Sequence, residues 1–218
     1  MRQAAWSSPI GLSGLVWKTD DAGAVWRYLV SQDIDGDRPA DFFRPVSLPD
    51  GTEQDARFRT VRLRPALVAN GRSFFCQHDT PQAVWQDAWR VHPNGVSDIV
   101  EFVVVARDPA AATQPYSRLF GADRLTACRE GAFALNAGVA TVRFATEEYV
   151  KERFAGLPAD YDGSARMAGL SLRTADLRKV KACLLAGDIP FREQETAIIV
   201  RAAQAFGVAL RFIGDAPK

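Results

Sequence analysis

The chain has 218 residues, of which 47% are hydrophobic and 24% charged, with a formal net charge of +1. That is the composition of a globular protein with a sizeable core. It gives no electrostatic ground for a nucleic-acid or membrane-surface partner, and no apolar run approaches the roughly 20 residues that cross a bilayer. The opening stretch MRQAAWSSPIGLS lacks the apolar run of a secretion signal, and Cys76, Cys128 and Cys183 are odd in number with no CxxC pair. Free thiols and a cytoplasmic location are the expectation.

In chain order, Leu12 to Thr19 reads as a strand, and Asp20 or Asp21 as the cap of the helix that follows. Val25, Trp26, Leu29 and Val30 recur at helical spacing and are expected to face a sheet. Strands are expected over Asp41 to Leu48, Ala56 to Arg64 and Ser73 to His78, with a turn at Leu48-Pro49-Asp50-Gly51. Thr80-Pro81 looks like the start of a short helix that sets Trp85 and Trp89 on one face, closed by Pro93-Asn94-Gly95. A strand at Ile99 to Ala106, a helix at Pro109 to Phe120 and strands near Arg124 to Arg129, Ala132 to Asn136 and Thr141 to Phe144 come next. Glu147 to Phe154 is a further short helix. The last stretch predicts a strand at Met167 to Thr174 and a helix at Asp176 to Ala186, buried through Leu177, Val180, Leu184 and Leu185. Strands near Phe191 to Gln194, Thr196 to Ala202 and Val208 to Ile213 complete it.

This order repeats because the sequence repeats. GLVWKTDDAGAVWRYLVSQDI (Gly14 to Ile34) aligns without gaps on GLSLRTADLRKVKACLLAGDI (Gly169 to Ile189), and a weaker copy begins at Glu101. A motif of this size points to a fold assembled from one small unit. The expected division is 1–79 for the first β-α-β-β-β module, 80–96 for a linker, 97–156 for the second module and 157–218 for the third.

These modules resemble the vicinal oxygen chelate superfamily, which includes glyoxalase I, extradiol dioxygenases and bleomycin-resistance proteins. FFCQHDTPQAVWQDAWRVHPNG (Phe74 to Gly95), RPVSLPDG (Arg44 to Gly51) and VVVARDPAA (Val103 to Ala111) are similar to a glyoxalase-like subgroup. The resemblance implies an α+β fold in which two modules share a curved mixed sheet of about eight strands around a cavity. It also implies a small-molecule ligand there. In the metal-dependent members, ligands stand on the first and last strands of paired modules, about seven residues before the capping Asp in the first strand. Counting back from Asp21, Asp108 and Asp176 gives Gly14, Glu101 and Gly169, so only Glu101 carries a donor. Arg211 falls near a last-strand ligand position, and His78 falls in the last-strand region of the first module.

Two classes of site follow. A divalent metal (Fe, Mn, Zn or Ni) on His78 and Glu101, with His92 as the remaining imidazole, would suit a lyase, isomerase or dioxygenase. Alternatively, Lys18 and Arg173, at equivalent places on their strands, attract a small anionic organic molecule without metal, with Glu101, Ser171 and Trp85 lining the cavity. A third reading leaves the modules a purely structural role. The plainer readings are a Glu101 paired with an arginine such as Arg173, solvated strand ends at Lys18 and Arg173, a turn cap at His92 and core packing at the tryptophans. Arg57, Arg59, Arg62 and Arg64 read as a solvated face or the guard of a sheet edge. Cys76 and His78 share a strand face, which allows a nucleophilic pair in principle. Three modules leave the first without a partner in the chain. The expectation is a homodimer, or a longer natural protein carrying a preceding module.

Overall fold

The computed structural model describes residues 10–68 and 73–214. It divides into two compact units, one formed by Gly14–Val91 and the other by the residues on either side of it. In the first unit, β1 (Leu15–Lys18) leads into α1 (Ala22–Ser31), then β2 (Ala40–Ser47), β3 (Glu53–Arg62) and β4 (Ser73–His78). The four strands form one sheet in the order β1-β4-β3-β2, with β1 parallel to β4 and the other pairs antiparallel.

The second unit runs that order twice. The first pass is β5 (Val96–Val105), α2 (Pro109–Phe120), β6 (Leu125–Ala127), β7 (Phe133–Asn136) and β8 (Thr141–Ala145). After α3 (Glu147–Arg153), the second pass is β9 (Arg166–Thr174), α4 (Leu177–Ala186), β10 (Arg192–Gln194), β11 (Ala197–Val200) and β12 (Ala209–Gly214). All eight strands join one mixed sheet, β10-β11-β12-β9-β5-β8-β7-β6, in which the leading strands β5 and β9 meet antiparallel at the centre.

The repeat is visible in its helix caps. Asp21 accepts from the Ala24 N–H at 2.8 Å, Asp108 from Ala111 at 3.0 Å and Asp176 from Arg178 at 2.9 Å. Each satisfies a donor that the first helical turn leaves free, worth about 1 kcal/mol. Asp21, and not Asp20, is the cap of α1.

Packing then decides which residues of each helix are buried. In α1 these are Ala22 and Leu29, while the expected Val30 is 46% exposed. In α4 Val180 is buried with Ile198, Val200 and Phe212, and the expected Leu185 lies on the outer side. Strand alternation places Phe212, Leu172 and Leu210 on the α4 face of the sheet, and Tyr116 of α2 packs on Phe144 on that same face at 4.9 Å. The opposite face carries Glu101, Val103, Arg143, Gly169, Ser171 and Arg211.

That second face is covered at one end by α3. Tyr149, Val150 and Phe154 pack there on Val103, Val105, Ala145, Ala168 and Ala209. Gly169 exists for this contact, since a Cβ at that position would stand 2.8 Å from the edge of the Phe154 ring.

The linker departs from its expected helix. Residues 80–95 form two short 3-10 turns, Pro81–Ala83 and Asp87–Arg90, and Trp85 and Trp89 are 65% and 49% exposed. The Thr80 hydroxyl accepts from Arg57 N and donates to Asp55 O, which ties the chain past β4 to β3 and leaves no N-cap for an α-helix. Of the two readings of the basic stretch, the edge guard does not hold, while its arginine side chains are 42–58% exposed as a solvated face requires. β3 lies between β4 and β2 and guards no edge. Its arginines meet acids, Arg57 with Asp55 at 2.8 Å, Arg59 with Asp41 at 2.6 Å and Arg62 with Asp37 at 3.4 Å, and Arg64, just past the strand, meets Asp33 at 2.7 Å.

Gly169→Ala is expected to destabilise the second unit by about 1–3 kcal/mol through overpacking against Phe154. Urea unfolding of the variant, and of the same variant with Phe154→Leu, measures this. The second substitution is expected to restore part of the loss.

Candidate functional site

On the side of β5, β8, β9 and β12 opposite α2 and α4, two adjacent rows of side chains carry the polar chemistry. One row aligns Thr141, Glu101, Ser171 and Arg211, and the next aligns Arg143, Val103, Gly169 and Ala209. Arg143, one row on and one strand over, reaches diagonally to Glu101, and its Nε donates to Oε1. The Ser171 hydroxyl donates to the other carboxylate oxygen at 2.8 Å. A carboxylate in an apolar strand such as IVEFVVV needs such partners. Arg143 is the arginine that meets it, whereas Arg173 is exposed and stands opposite Asp98 in the register.

Both ends of this pair are sheltered, with side chains 21% and 13% exposed for Arg143 and Glu101. Burial works against the Arg143 charge, but the Glu101 hydrogen bond and charge prevail and hold the guanidinium above its ordinary range. Arg143 Nη1 also donates to Cys128 Sγ at 3.4 Å, and the guanidinium lies 5.5 Å from the Tyr149 ring centre. Arg153 approaches that ring at 5.1 Å. Two cations thus share one aromatic ring, a contact worth about 0.5–1 kcal/mol where exposed and more where dry.

Arg211 is the unsatisfied member. Its Nε is sealed from solvent without a hydrogen-bond partner. Burial lowers its pKa first, and repulsion from Arg153 lowers it further, against opposing contributions from Glu101 and Tyr149. The cluster therefore gathers Arg143, Arg153 and Arg211 around one carboxylate that is already engaged twice. Sequence reasoning placed Arg211 near a ligand position but missed Arg143 and Arg153. Nothing in the linear pattern joins residues of β8, α3 and β12 before the register is known.

These residues do not suit a divalent cation. A metal asks for several anionic or neutral donors converging on one point. Here the paired positions offer one occupied carboxylate, a glycine filled by Phe154 and two guanidiniums. Among the described residues, no group of three or more His, Cys, Asp or Glu stands together to hold a metal.

The remaining candidates lie apart from this cluster in the chain. Lys18, His78 and Trp85 belong to the first unit, whereas Arg173 and His92 share the second with the cluster. Lys18 Nζ is exposed, 3.8 Å from Asp20. His92 closes a turn, with Nδ1 2.6 Å from Asn94 Oδ1 and its carbonyl accepting from Gly95 N. Trp85 stacks on His78, centroids 5.8 Å apart and 9° from parallel. Burial, then Lys18, pushes the His78 pKa below its ordinary value. Cys76 is buried beside it, and burial, then Asp79, pushes its thiol up, the reverse of what a nucleophile requires. The three cysteines are unpaired.

Two β-α-β-β-β modules sharing one mixed sheet, with a polar cluster on the face opposite their module helices, define the vicinal oxygen chelate architecture. Residues 2–120 match the Glyoxalase-like domain family, and the chain belongs to it. Among solved structures, the chain is similar to a hypothetical protein from Staphylococcus aureus, at 10% identity and a TM-score of 0.58 over 90% of this chain and 64% of that one. It is also similar to the Mn(II)-bound glyoxalase from Novosphingobium aromaticivorans, at 7% identity and a TM-score of 0.51, covering 94% and 63%. A xylose isomerase-like TIM barrel/4-hydroxyphenylpyruvate dioxygenase fusion protein aligns at 11% identity and a TM-score of 0.50, covering 95% and 38%. The chain thus spans just under two thirds of the first and second of these proteins and less of the third, and at these identities the likeness is one of fold. No curated protein matches the chain in sequence. Among the described residues, no helix is long and apolar enough to cross a membrane.

Glu101→Ala is expected to cost about 2–4 kcal/mol, because it strands the Arg143 charge in a sheltered site. Glu101→Ala combined with Arg143→Met is expected to recover most of that. A double-mutant cycle by denaturant unfolding measures the coupling.

Proposed function

We propose that this chain binds a small organic anion on the face of its eight-stranded sheet opposite α2 and α4, without a metal. The observation that carries the reading is the charge imbalance at Arg211. Its guanidinium is half-buried, its Nε has no partner, and Arg143 and Arg153 outnumber the single carboxylate. An unmet buried donor costs about 1–3 kcal/mol, and a carboxylate or phosphate oxygen supplies what it lacks. Ser171 and Glu101 hold Arg143 in place beside it. The metal-dependent lyase, isomerase or dioxygenase reading gains support from the Mn(II)-bound glyoxalase fold. It loses it at the donor set, where guanidiniums stand in place of ligands. A cytoplasmic setting belongs to the same proposal and is supported by the unpaired cysteines.

The test is a melting-temperature screen against malonate, succinate and phosphate, with and without EDTA. A ligand at 100 times its Kd adds about 2.7 kcal/mol to stability. The expected result is a rise with at least one of these dianions that EDTA leaves intact and Arg211→Gln removes. If no anion stabilises the protein, or if stabilisation appears only after loading manganese, iron, zinc or nickel, the reading fails.

Assembly is the second part of the proposal. β5 and β9, the leading strands of their modules, bind each other antiparallel. β1 is the leading strand of the first module and pairs with β4 alone among the described residues. An open strand edge recruits another strand, and the same edge of a second copy supplies it in a two-fold homodimer. Light scattering is expected to give twice the chain mass. Val16→Pro in β1 is expected to return the monomer mass, because its N–H alternates with that of Thr19, which is bonded to Cys76 O of β4, and so faces the open edge, where proline removes the donor. A wild-type monomer at micromolar concentration rules this assembly out.

A further inference from the structure

The arginine that opens β9 takes no part in the cluster above. The Arg166 side chain is only 5% exposed, and two hydrogen bonds fix it. Its Nη1 donates to Asp160 Oδ1 at 2.8 Å and its Nη2 to the Ile10 carbonyl at 2.8 Å. It thereby ties the segment before β1 to the loop before β9, both within the second unit. The turn between β11 and β12 joins them. That turn is a short 3-10 piece, Ala202–Gln204, closed by Gly207 N to Ala202 O at 2.9 Å and Val208 N to Ala205 O at 3.1 Å. Gly207 has a φ of 83°, and a Cβ there would collide with the Ile10 carbonyl oxygen.

Between the three segments lies a cavity of about 600 Å³. That is the size of a small-molecule site, for which roughly 300–1,000 Å³ is usual. Ile10, Ala159, Ala202 and Phe206 give it mainly apolar walls, and Asp160 and Gln204 add polar groups. Asp160 is the one charged residue among the described residues that line it. The Arg166 hydrogen bond lowers its pKa, which keeps the carboxylate ionised at neutral pH. A carboxylate has about four lone-pair sites, and Arg166 occupies one of them. The Asp160 side chain is 57% exposed and open to further donors, whereas Arg166 lies buried with both Nη atoms bonded. The cavity therefore offers a negative charge and no positive one. Phe206 is the second sign of a site. Its ring is 86% exposed at the rim, and its φ of 51° lies in the left-handed region, where a bulky residue is strained. Strain of this kind collects where a ligand is held.

We propose that this cavity binds an organic ammonium ion with an apolar body, of the size of an arylalkylamine. The ammonium meets the Asp160 carboxylate, with the Gln204 amide as a further acceptor, and the apolar body lies between Ile10 and Phe206. Charge complementarity selects the cation, since no guanidinium is left to receive an anion. The Phe206 ring covers the apolar body and attracts the positive end. This site shares no lining residue with the Arg211 cluster and takes a ligand of opposite charge, so the two proposals stand or fall separately.

The experiment follows backbone amides by nitrogen-proton NMR during titration with phenethylamine. Phenethyl alcohol, with the same ring and no charge, and hydrocinnamate, with the opposite charge, come next. Gly207 reports on the cavity, and Gly138, in the turn between β7 and β8, is the internal control. The expected result is a saturable shift of Gly207 with phenethylamine, none at Gly138, and no saturable shift with hydrocinnamate. Affinity for the alcohol is expected to be about tenfold weaker, the ratio one charge-assisted hydrogen bond supports. Asp160→Asn keeps an oxygen for Arg166 and is expected to weaken phenethylamine about tenfold while leaving the alcohol unchanged. Phe206→Asn puts a residue that enters the left-handed region more readily at that position. It is expected to weaken both ligands while melting no lower than the parent. Arg211→Gln is expected to change nothing at Gly207. The proposal is overturned by an unresponsive Gly207, by equal affinity for amine and alcohol, by saturable binding of hydrocinnamate, or by indifference to Asp160→Asn. Affinity that rises on dilution, or in Trp6→Ala, shows a second copy or the chain's own preceding residues as the occupant and overturns it as well.

Discussion

The antiparallel seam between β5 and β9 is the contact on which the second unit depends. Each strand opens its own module, and each is already paired on its other side by the closing strand of that module, β8 or β12. Joining them turns two four-stranded sheets into one and brings residues distant in sequence into a single row. Glu101 and Ser171 face each other because of this seam, and Arg143 and Arg211 flank them because β8 and β12 follow in register. The polar cluster is thus a product of strand pairing, with no loop positioning its main residues.

Charge sets what the cluster can hold within this fold. A cavity of this architecture accepts whatever the four inward strand positions supply. When they supply donors, a cation is stabilised; when they supply guanidiniums, an anion is. Glu101 is the residue that both arrangements can use. Here its two oxygens are spent on Arg143 and Ser171, so it acts as a brace that fixes a guanidinium in direction.

Much of the fold was readable in the sequence because its signals are local. The aspartate caps, the apolar strands and the glycine turn at Leu48 to Gly51 each act within a few residues, and the repeat multiplies them. The linker was misjudged for the opposite reason. Thr80 and Pro81 look like a helix start, but Thr80 is held by the backbone of β3, a partner 23 to 25 residues away. The candidate site divides along the same line. Glu101 and Ser171 were found because the repeat marks their positions on leading strands. Arg143 and Arg153 were missed because only register and the placement of α3 bring them near. Lys18 and Arg173 occupy matching places in the repeat, yet their surroundings differ, with Asp20 near the one and Asp98 opposite the other.

The Phe154 ring seated on Gly169 also bears on the order in which this surface can change. A carboxylate or imidazole introduced at position 169 has no room while the phenyl ring remains. Removing the ring first opens a void under α3 and costs several kilocalories per mole, since Phe154 is fully buried. Either single step is therefore unfavourable, and only the pair taken together leaves a packed sheet. The contact works as a latch: a ligand-bearing side chain at that strand position is out of reach of any one substitution.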